Sequence, residues 1–405
     1  MVSNNVFTTV ASRGFCSGCG ACIGSQAGLE SAMKISPEGF LRPYFSAGSD
    51  LSSASSSAIA ACTGLTMRGS FSEVPAHTLW GPLLTVRTAN ATDPEIQRQG
   101  SSGGGISALA VFLLQEKKVD FVVQVAVDPL DPLKNRVQKS VTRTDVLRAA
   151  GSRYAPAAPL ELIDQYLSTG KKFAFIGKPC DVAALRGLAS VDERVNRQVP
   201  YMISFMCAGV PSIKGTYELL RKMGVEPDDV RAFRYRGDGW PGMTKAITRD
   251  GRVAEVDYNS SWGSVLNRHL QFRCKICPDG TGEFADVVCA DAWYGKDGYP
   301  DFAERDGRSL LLARTHVGEA LIQAAVAAGS IQVADLPVSD IAQMQPYQVH
   351  RKKVVLGRIA GTLLRLGYAP KFRRMRLIRA SLSVSPLEWI RNAIGTYRRA
   401  KGETL

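Results

Sequence analysis

The stretch FCSGCGACIG, residues 15–24, limits what this chain can fold around. Cys16, Cys19 and Cys22 recur at every third position among small residues. Two intervening residues let consecutive thiolates wrap one inorganic centre, and the glycines let the backbone turn tightly with its amides near the sulfurs. A zinc site pairs one Cys-x-x-Cys with a second, distant pair, so a run of three fits an iron–sulfur cubane better. A cubane takes four cysteines, and the bacterial ferredoxin run ends in a fourth cysteine before a proline. Here the run continues IGSQAGLES, so the fourth ligand must come from afar. Cys62, the next cysteine, is the candidate. The competing reading of Cys62 is a buried apolar thiol.

The remaining cysteines form a second group. Cys180 in GKPCDV and Cys207 in FMCAGV each follow a predicted strand, and Cys274 and Cys277 form a Cys-x-x-Cys pair in FRCKICPDG. In a parallel sheet those strand ends lie on one edge, where α/β proteins build sites. The pair arriving from a later loop completes four thiolates. Cys289, in the strand-like ADVVCADAW, is left over and reads as a core thiol. Nine cysteines are an odd number, and a disulfide framework explains them poorly. The N-terminus has no basic start and no long apolar run, so no signal peptide is expected and the expected location is the cytoplasm. No run of about 18 apolar residues is present, so no transmembrane helix is expected.

From about residue 80 the texture alternates. LLTVRTA (83–89), FVVQVAV (121–127), KKFAFIG (171–177) and VPYMISFMC (199–207) read as strands. SSGGGISALAVFLLQEKK (101–118) reads as a glycine-rich turn opening a helix, and KPCDVAALRGL and SIKGTYELLRKMG as further helices. Strands alternating with helices predict an α/β fold with a mixed, largely parallel sheet. SAGSDLSSASSS (46–57) reads as a loop.

The helix mouth at Ser101, Ser102, Gly103 and Gly104 presents N–H groups and a positive dipole end suited to a phosphate. The plain alternative is an N-cap and a packed helix. GSRYAP, with Ser152, Arg153 and Tyr154, and GKPCD, with Lys178, add small and cationic residues that suit a dinucleotide. Beside two cluster sites, a flavin is the usual adapter between one-electron and hydride chemistry. No classical Gly-x-Gly-x-x-Gly strand–turn–helix is present, which disfavours an NAD fold. The four histidines, His77, His269, His316 and His350, read as surface or core residues, and no catalytic acid or base is visible.

The net charge is +13 and the pI about 9.4. No aromatic-interleaved basic motif accompanies it, so nucleic acid is not an expected partner. Residues 350–402 are basic, amphipathic and almost free of acids. They fit an interfacial helix pair on an anionic membrane, contact with a partner subunit, or solvated helices covering the sheet.

Several blocks, in order, resemble the coenzyme F420 hydrogenase/dehydrogenase beta-subunit family: CSGCGAC, WGPLLTVRTA, QGSSGGGISALAVFLL, AAGSRYAP, FIGKPCDVAALRGL, FMCAGVPS and CKICPDGTGEFADVVCADAW. The resemblance covers roughly residues 12–360. It implies FAD, [4Fe–4S] clusters and an α/β flavin core. It also implies electron transfer between clusters, flavin and a bound partner or substrate. The electron donor would be of the ferredoxin or reduced-deazaflavin kind, and the substrate coenzyme F420 or an intermediate of surface-polysaccharide synthesis. The chain lacks the full ferredoxin set of some relatives, so one N-terminal cluster is expected, two in all. Cys289 stands where relatives carry a small residue. The segments expected are an iron–sulfur segment (1–75), a flavin-binding α/β domain (76–195), a domain carrying the Cys-x-x-Cys pair (196–350) and a basic helical tail (351–405). A non-catalytic module stabilised by zinc or a cluster, docking by its basic tail, is the alternative.

Overall fold

The computed structural model describes residues 6–25, 31–46, 55–69, 74–296 and 299–403. Its centre is an eight-stranded sheet: β1 Thr85–Ala91, β2 Phe121–Val127, β3 Asn135–Ser140, β4 Phe173–Gly177, β5 Tyr201–Phe205, β6 Val287–Asp291, β7 Ser309–Ala313 and β8 Ile331–Asp335. The order across the sheet is β8-β1-β7-β6-β5-β4-β2-β3. The sheet is mixed. Parallel pairing joins the central four strands, β2 to β4, β4 to β5 and β5 to β6. The outer pairings, β6 to β7, β7 to β1, β1 to β8 and β2 to β3, are antiparallel.

The central strands are apolar on both faces because both faces are covered. Alternation divides them between two layers. Phe121, Val123, Phe173 and Phe175 face one layer, with Val182 and Leu185 of helix Pro179–Ala189. Val122, Ala174, Ile176 and Cys289 face the other, with Leu109 and Phe112 of helix Gly105–Gln115. We call these helices α2 and α1, after their order in the chain. Burial alone pushes the Cys289 thiol up to about 12.

The short parallel strands end at one edge, and the chain leaves that edge into the functional loops. Three smaller strands, Val230–Arg234, Thr244–Thr248 and Val253–Val256, form an antiparallel sheet beside helix Ile213–Lys222. The C-terminal section holds α3 Pro346–Leu366, α4 Leu377–Ser381 and α5 Pro386–Arg399. Between α3 and α4, Lys371–Arg373 pairs in parallel with Thr66–Arg68, which ties the end of the chain to its beginning. The loop expected over 46–57 falls largely outside the described residues. At its end Ser55 caps an unanticipated helix, Ser56–Ala61, by accepting a hydrogen bond from the Ala58 amide at 3.1 Å.

Candidate metal and cofactor sites

The first three cysteines lie on a tight turn and a single helical turn, Ala21–Gly24. Gly20 has φ +82°, and a Cβ there would stand 2.8 Å from the Glu161 amide nitrogen. Only glycine meets both conditions. The Leu160 amide donates to the Cys19 carbonyl at 3.0 Å, which fixes the run against the segment before helix Ile163–Leu167. The Gly18 amide donates to Cys16 Sγ at 3.3 Å. Helix Ser56–Ala61 delivers Cys62 at its C-terminal end. Cys62 packs with Cys22 in one apolar cluster and with Cys16 in another. The structure therefore brings Cys62 to the run, although 39 positions of sequence separate it from Cys22 in between.

The second set also assembles. Cys180 is in the first turn of α2, and Cys207 follows β5. The Cys207 amide donates to the Gly280 carbonyl at 2.8 Å, which draws in the loop after the Cys274–Cys277 pair. Cys274 Sγ accepts from the Val210 amide at 3.3 Å and from Gln271 Nε2 at 3.4 Å.

All nine cysteines are free thiols. Burial pushes Cys19 up to about 11 and Cys62 and Cys207 up to about 12, and it raises Cys16, Cys22 and Cys180 as well. Within each set neighbouring sulfurs add to the rise: Cys22 feels Cys16, Cys19 and Cys62, and Cys207 feels Cys274 and Cys277. Such thiols stay protonated at neutral pH and are poor nucleophiles. A metal centre would displace their protons on binding.

Among the described residues, no three Cys, His, Asp or Glu side chains converge as ligands of one ion. A cubane carries each thiolate on its own iron at a separate corner, so its ligands stand further apart than those of a single ion. The charges around the thiols also suit an anionic centre. Arg273 is buried, its Nε and Nη1 have no partner, and its charge, after that of Arg42, opposes the burial-driven rise of the Cys16 thiol. Arg351 is buried and donates only to carbonyls, Cys207 O at 3.0 Å and Cys274 O at 2.6 Å. Among the described residues neither arginine is in an ion pair. A buried cation without a counter-charge is costly, and four thiolates on a cluster would supply one.

The two sets are bridged. Gln271 donates to Cys274 Sγ and, at 3.3 Å, to the Ser17 carbonyl. Its Oε1 accepts from Arg42 Nη1 at 3.2 Å. Arg42 is itself buried, between the fields of Cys16 and Cys274.

A cavity of about 1050 Å³ opens at the carboxyl edge of the parallel strands. That exceeds the volume usual for one small ligand, roughly 300–1,000 Å³. One wall is the first turn of α1, from Gly104 to Ser107. Ser101, Ser102, Ser152, Arg153, Tyr154 and Lys178 line it, as does Cys207. The opposite wall is aromatic, with Tyr258, Trp262 and Trp293. Asp181 also lines it, fully buried, with Oδ1 unpartnered and Oδ2 held by Lys178 Nζ at 2.7 Å. Burial lowers the Lys178 ammonium, but Asp181 and the nearby thiols outweigh it and leave its pKa raised. A helix N-terminus, an aromatic wall and this size fit a dinucleotide such as FAD.

Three expected contacts differ in detail. Gly103 is not on the cavity wall. A Cβ there would meet the Ala89 carbonyl at 2.5 Å and the Ser309 amide nitrogen at 2.7 Å, so this glycine faces β1 and β7. The Ser102 hydroxyl points to the Ala290 and Arg308 carbonyls. The Arg153 guanidinium is spent on Asn135 Oδ1 at 2.7 Å and on the carbonyls of Pro132, Lys134 and Phe233. The phosphate-binding capacity of this wall lies more in the α1 backbone than in these side chains.

Descriptions of the coenzyme F420 hydrogenase/dehydrogenase beta subunit, N-terminus and C-terminus, match residues 86–164 and 170–338. The chain belongs to this coenzyme F420 hydrogenase/dehydrogenase beta-subunit family. It is 28% identical over 298 residues to the coenzyme F420 hydrogenase subunit beta of Methanococcus voltae, covering 70% of this chain and 98% of that one. It is 36% identical over 233 residues to the F420-dependent formate dehydrogenase subunit beta of Methanocaldococcus jannaschii, covering 55% and 57%. The chain thus spans little more than half the length of that relative. Its fold is similar to a chain of the F420-reducing [NiFe] hydrogenase complex of Methanosarcina barkeri, with a TM-score of 0.55 at 22% identity, over 71% of this chain and 96% of that one.

The beta-subunit family segments hold the sheet, α1, α2 and the second cysteine set. The Cys16–Cys22 run, Cys62 and α3 to α5 lie outside them. Sequence reading missed Asp181, Gln271, Arg273, Arg351 and the buried pair Arg236–Asp291, 2.8 Å apart. Asp181 follows Cys180 directly and was findable there. Arg236 and Asp291 meet across 55 positions, and no local pattern announces them.

Proposed function

We propose that this chain is an iron–sulfur flavoprotein oxidoreductase. It passes electrons between two [4Fe–4S] clusters and FAD, to or from a bound partner or small molecule. The observation that carries the reading is the pairing of each four-thiol set with a buried arginine that has no carboxylate partner. The clusters supply one-electron transfer and the flavin converts it to two-electron chemistry.

The chain's own residues have separable tasks. Cys16, Cys19, Cys22 and Cys62 would hold one cluster, and Cys180, Cys207, Cys274 and Cys277 the other. The Gly18 and Val210 amides and Gln271 donate to sulfur, which stabilises the reduced form of a thiolate-bound centre. The first turn of α1 would hold the pyrophosphate of FAD, and the aromatic wall of Tyr258, Trp262 and Trp293 would shield its ring from water. Cys207 belongs to the second set and also lines the cavity, so no protein layer separates the two. The F420-dependent names of the relatives favour coenzyme F420 over a surface-polysaccharide intermediate as the small molecule. Ferredoxin or a reduced deazaflavin fits as donor, and free thiols throughout fit the reducing cytoplasm.

Anaerobic purification, iron counting and flavin extraction test this reading. About eight irons and one FAD per chain are expected, with broad absorbance near 400 nm. Cys277→Ser should remove about four irons, and Cys62→Ala should abolish the N-terminal cluster's paramagnetic signal. A colourless, zinc-containing protein would replace the redox reading with that of a metal-stabilised interaction module.

A further inference from the structure

Helix α5 is amphipathic the wrong way round for a helix that only covers a core. Its inner face is mostly small: Ala393 and Thr396 are buried against α3, and Trp389 is the one large residue there, set against Gly357 of α3. The approach is close, because a Cβ on Gly361 of α3 would stand 2.1 Å from the Ala393 carbonyl. Four large apolar side chains point outward. Leu387 is 79% exposed, Ile390 and Ile394 48% each, and Tyr397 42%. These positions recur at helical spacing and form one stripe along the outer face.

The stripe is not an isolated feature. Seven of the ten exposed leucines and isoleucines among the described residues fall between residues 363 and 394. The charge around it has a single sign. Residues 346–403 hold fourteen Lys and Arg against two acids, Glu388 and Glu403. Glu403 is consumed by Arg42, and Glu388 faces His350 at 3.4 Å. Arg391 and Arg398 on α5 are exposed, and among the described residues neither is in an ion pair. Among the described residues, no helix is long and apolar enough to cross a membrane.

We propose that the outer face of α5 docks this protein on an anionic membrane surface. Leu387, Ile390 and Ile394 enter the boundary between headgroups and acyl chains, while Arg391 and Arg398 meet lipid phosphates. A convex, one-helix ridge of aliphatic side chains needs no shape-matched groove in a bilayer, and the unpaired arginines match anionic headgroups. This inference does not depend on the redox reading: α5 meets the cavity wall where Glu388 pairs with His350 at 3.4 Å, but Leu387, Ile390, Ile394, Arg391 and Arg398 do not line the cavity.

Co-sedimentation of the purified full chain with vesicles tests it. Binding is expected to vesicles containing phosphatidylglycerol, to fall on pure phosphatidylcholine and to weaken with salt. Ile390→Ser with Ile394→Ser should lower the partition onto anionic vesicles by roughly tenfold or more. Arg391→Gln with Arg398→Gln should lower it on anionic vesicles only and flatten the salt dependence. The thermal midpoint and any bound chromophore should be unchanged. If the serine pair lowers the midpoint, Leu387→Ser takes its place. Failure of the native chain to bind anionic vesicles at low salt would overturn the proposal, as would undiminished binding by the serine variants. A self-association that the serine pair abolishes, without vesicle binding, would overturn it in favour of a second copy as the occupant.

Discussion

Single side chains carry much of the electrostatic organisation of this protein, and Glu319 isolates one such effect away from the cofactor sites. Its carboxylate accepts from Arg87 at 2.8 and 2.9 Å and from the Thr85 hydroxyl at 2.6 Å. The Arg87 hydrogen bonds, with those of Thr85 and Gln323, hold its pKa at about 2, below the ordinary value near 4.5. A carboxyl depressed on folding stabilises the fold above its unfolded pKa and loses that contribution as pH falls through the folded one. Glu319→Gln should therefore cost about 1 kcal/mol at neutral pH, in keeping with a charge-assisted pair near the surface. The difference from the native chain should shrink between pH 4.5 and about 2. Urea unfolding of both proteins across that range checks the sign. A penalty independent of pH would mean that packing, and not the ion pair, is at work.

At the scale of elements, the glycine-rich mouth of α1 serves two neighbours at once. Gly104, in the left-handed region at φ +72°, turns the chain into the helix and onto the cavity. Gly103, one residue earlier, lets the same turn lie directly on β1 and β7. A side chain at residue 103 would strike strand backbone, which cannot move aside as a flexible side chain can. Gly103→Val is expected to destabilise the fold by about 1–3 kcal/mol through overpacking. Flavin loss in that variant should accompany a lower unfolding midpoint. A variant of native stability that lacks only flavin would place residue 103 at the ligand instead.

For the whole molecule, the two ends of the chain hold each other. Lys371–Arg373 pairs with Thr66–Arg68. Glu403 clamps Arg42 with two hydrogen bonds, 2.7 and 2.9 Å, and its amide donates to the Ser12 carbonyl at 2.6 Å. Both partners are under 10% exposed, at 3% and 8%. Removing one charge from a buried pair strands the other, at a cost of about 3–5 kcal/mol. Glu403→Gln should show this in urea unfolding, together with faster proteolysis near both termini. Arg42 also touches Gln271 between the cysteine sets, so the same variant should broaden the paramagnetic signals of any cluster held there. Unaltered proteolysis at the N-terminal segment would mean that the two ends are stabilised separately.

Local pattern alone determined the strands and helices of the centre. FVVQVAV is a strand over the very residues its β-branched run marks; the strand before Cys180 ends at Gly177 with its apolar run, and the one before Cys207 ends at Phe205, two residues short of the run. Propensity and period act within a few residues, so they survive translation into structure with shifts of a residue or two. The spacing of Cys16, Cys19 and Cys22 likewise is a local fact. What no window of sequence contains is which distant groups meet. The outer antiparallel pairings of the sheet, the arrival of Cys62 beside Cys22, and the lodging of Arg273 and Arg351 against the thiols were decided by the packing of the whole chain. The same holds for Gly103 and for α5. The glycine run does not say which of its members faces a strand, and a basic amphipathic helix does not say which face it buries. Those choices follow from total burial and close contact, and only the tertiary structure evaluates them.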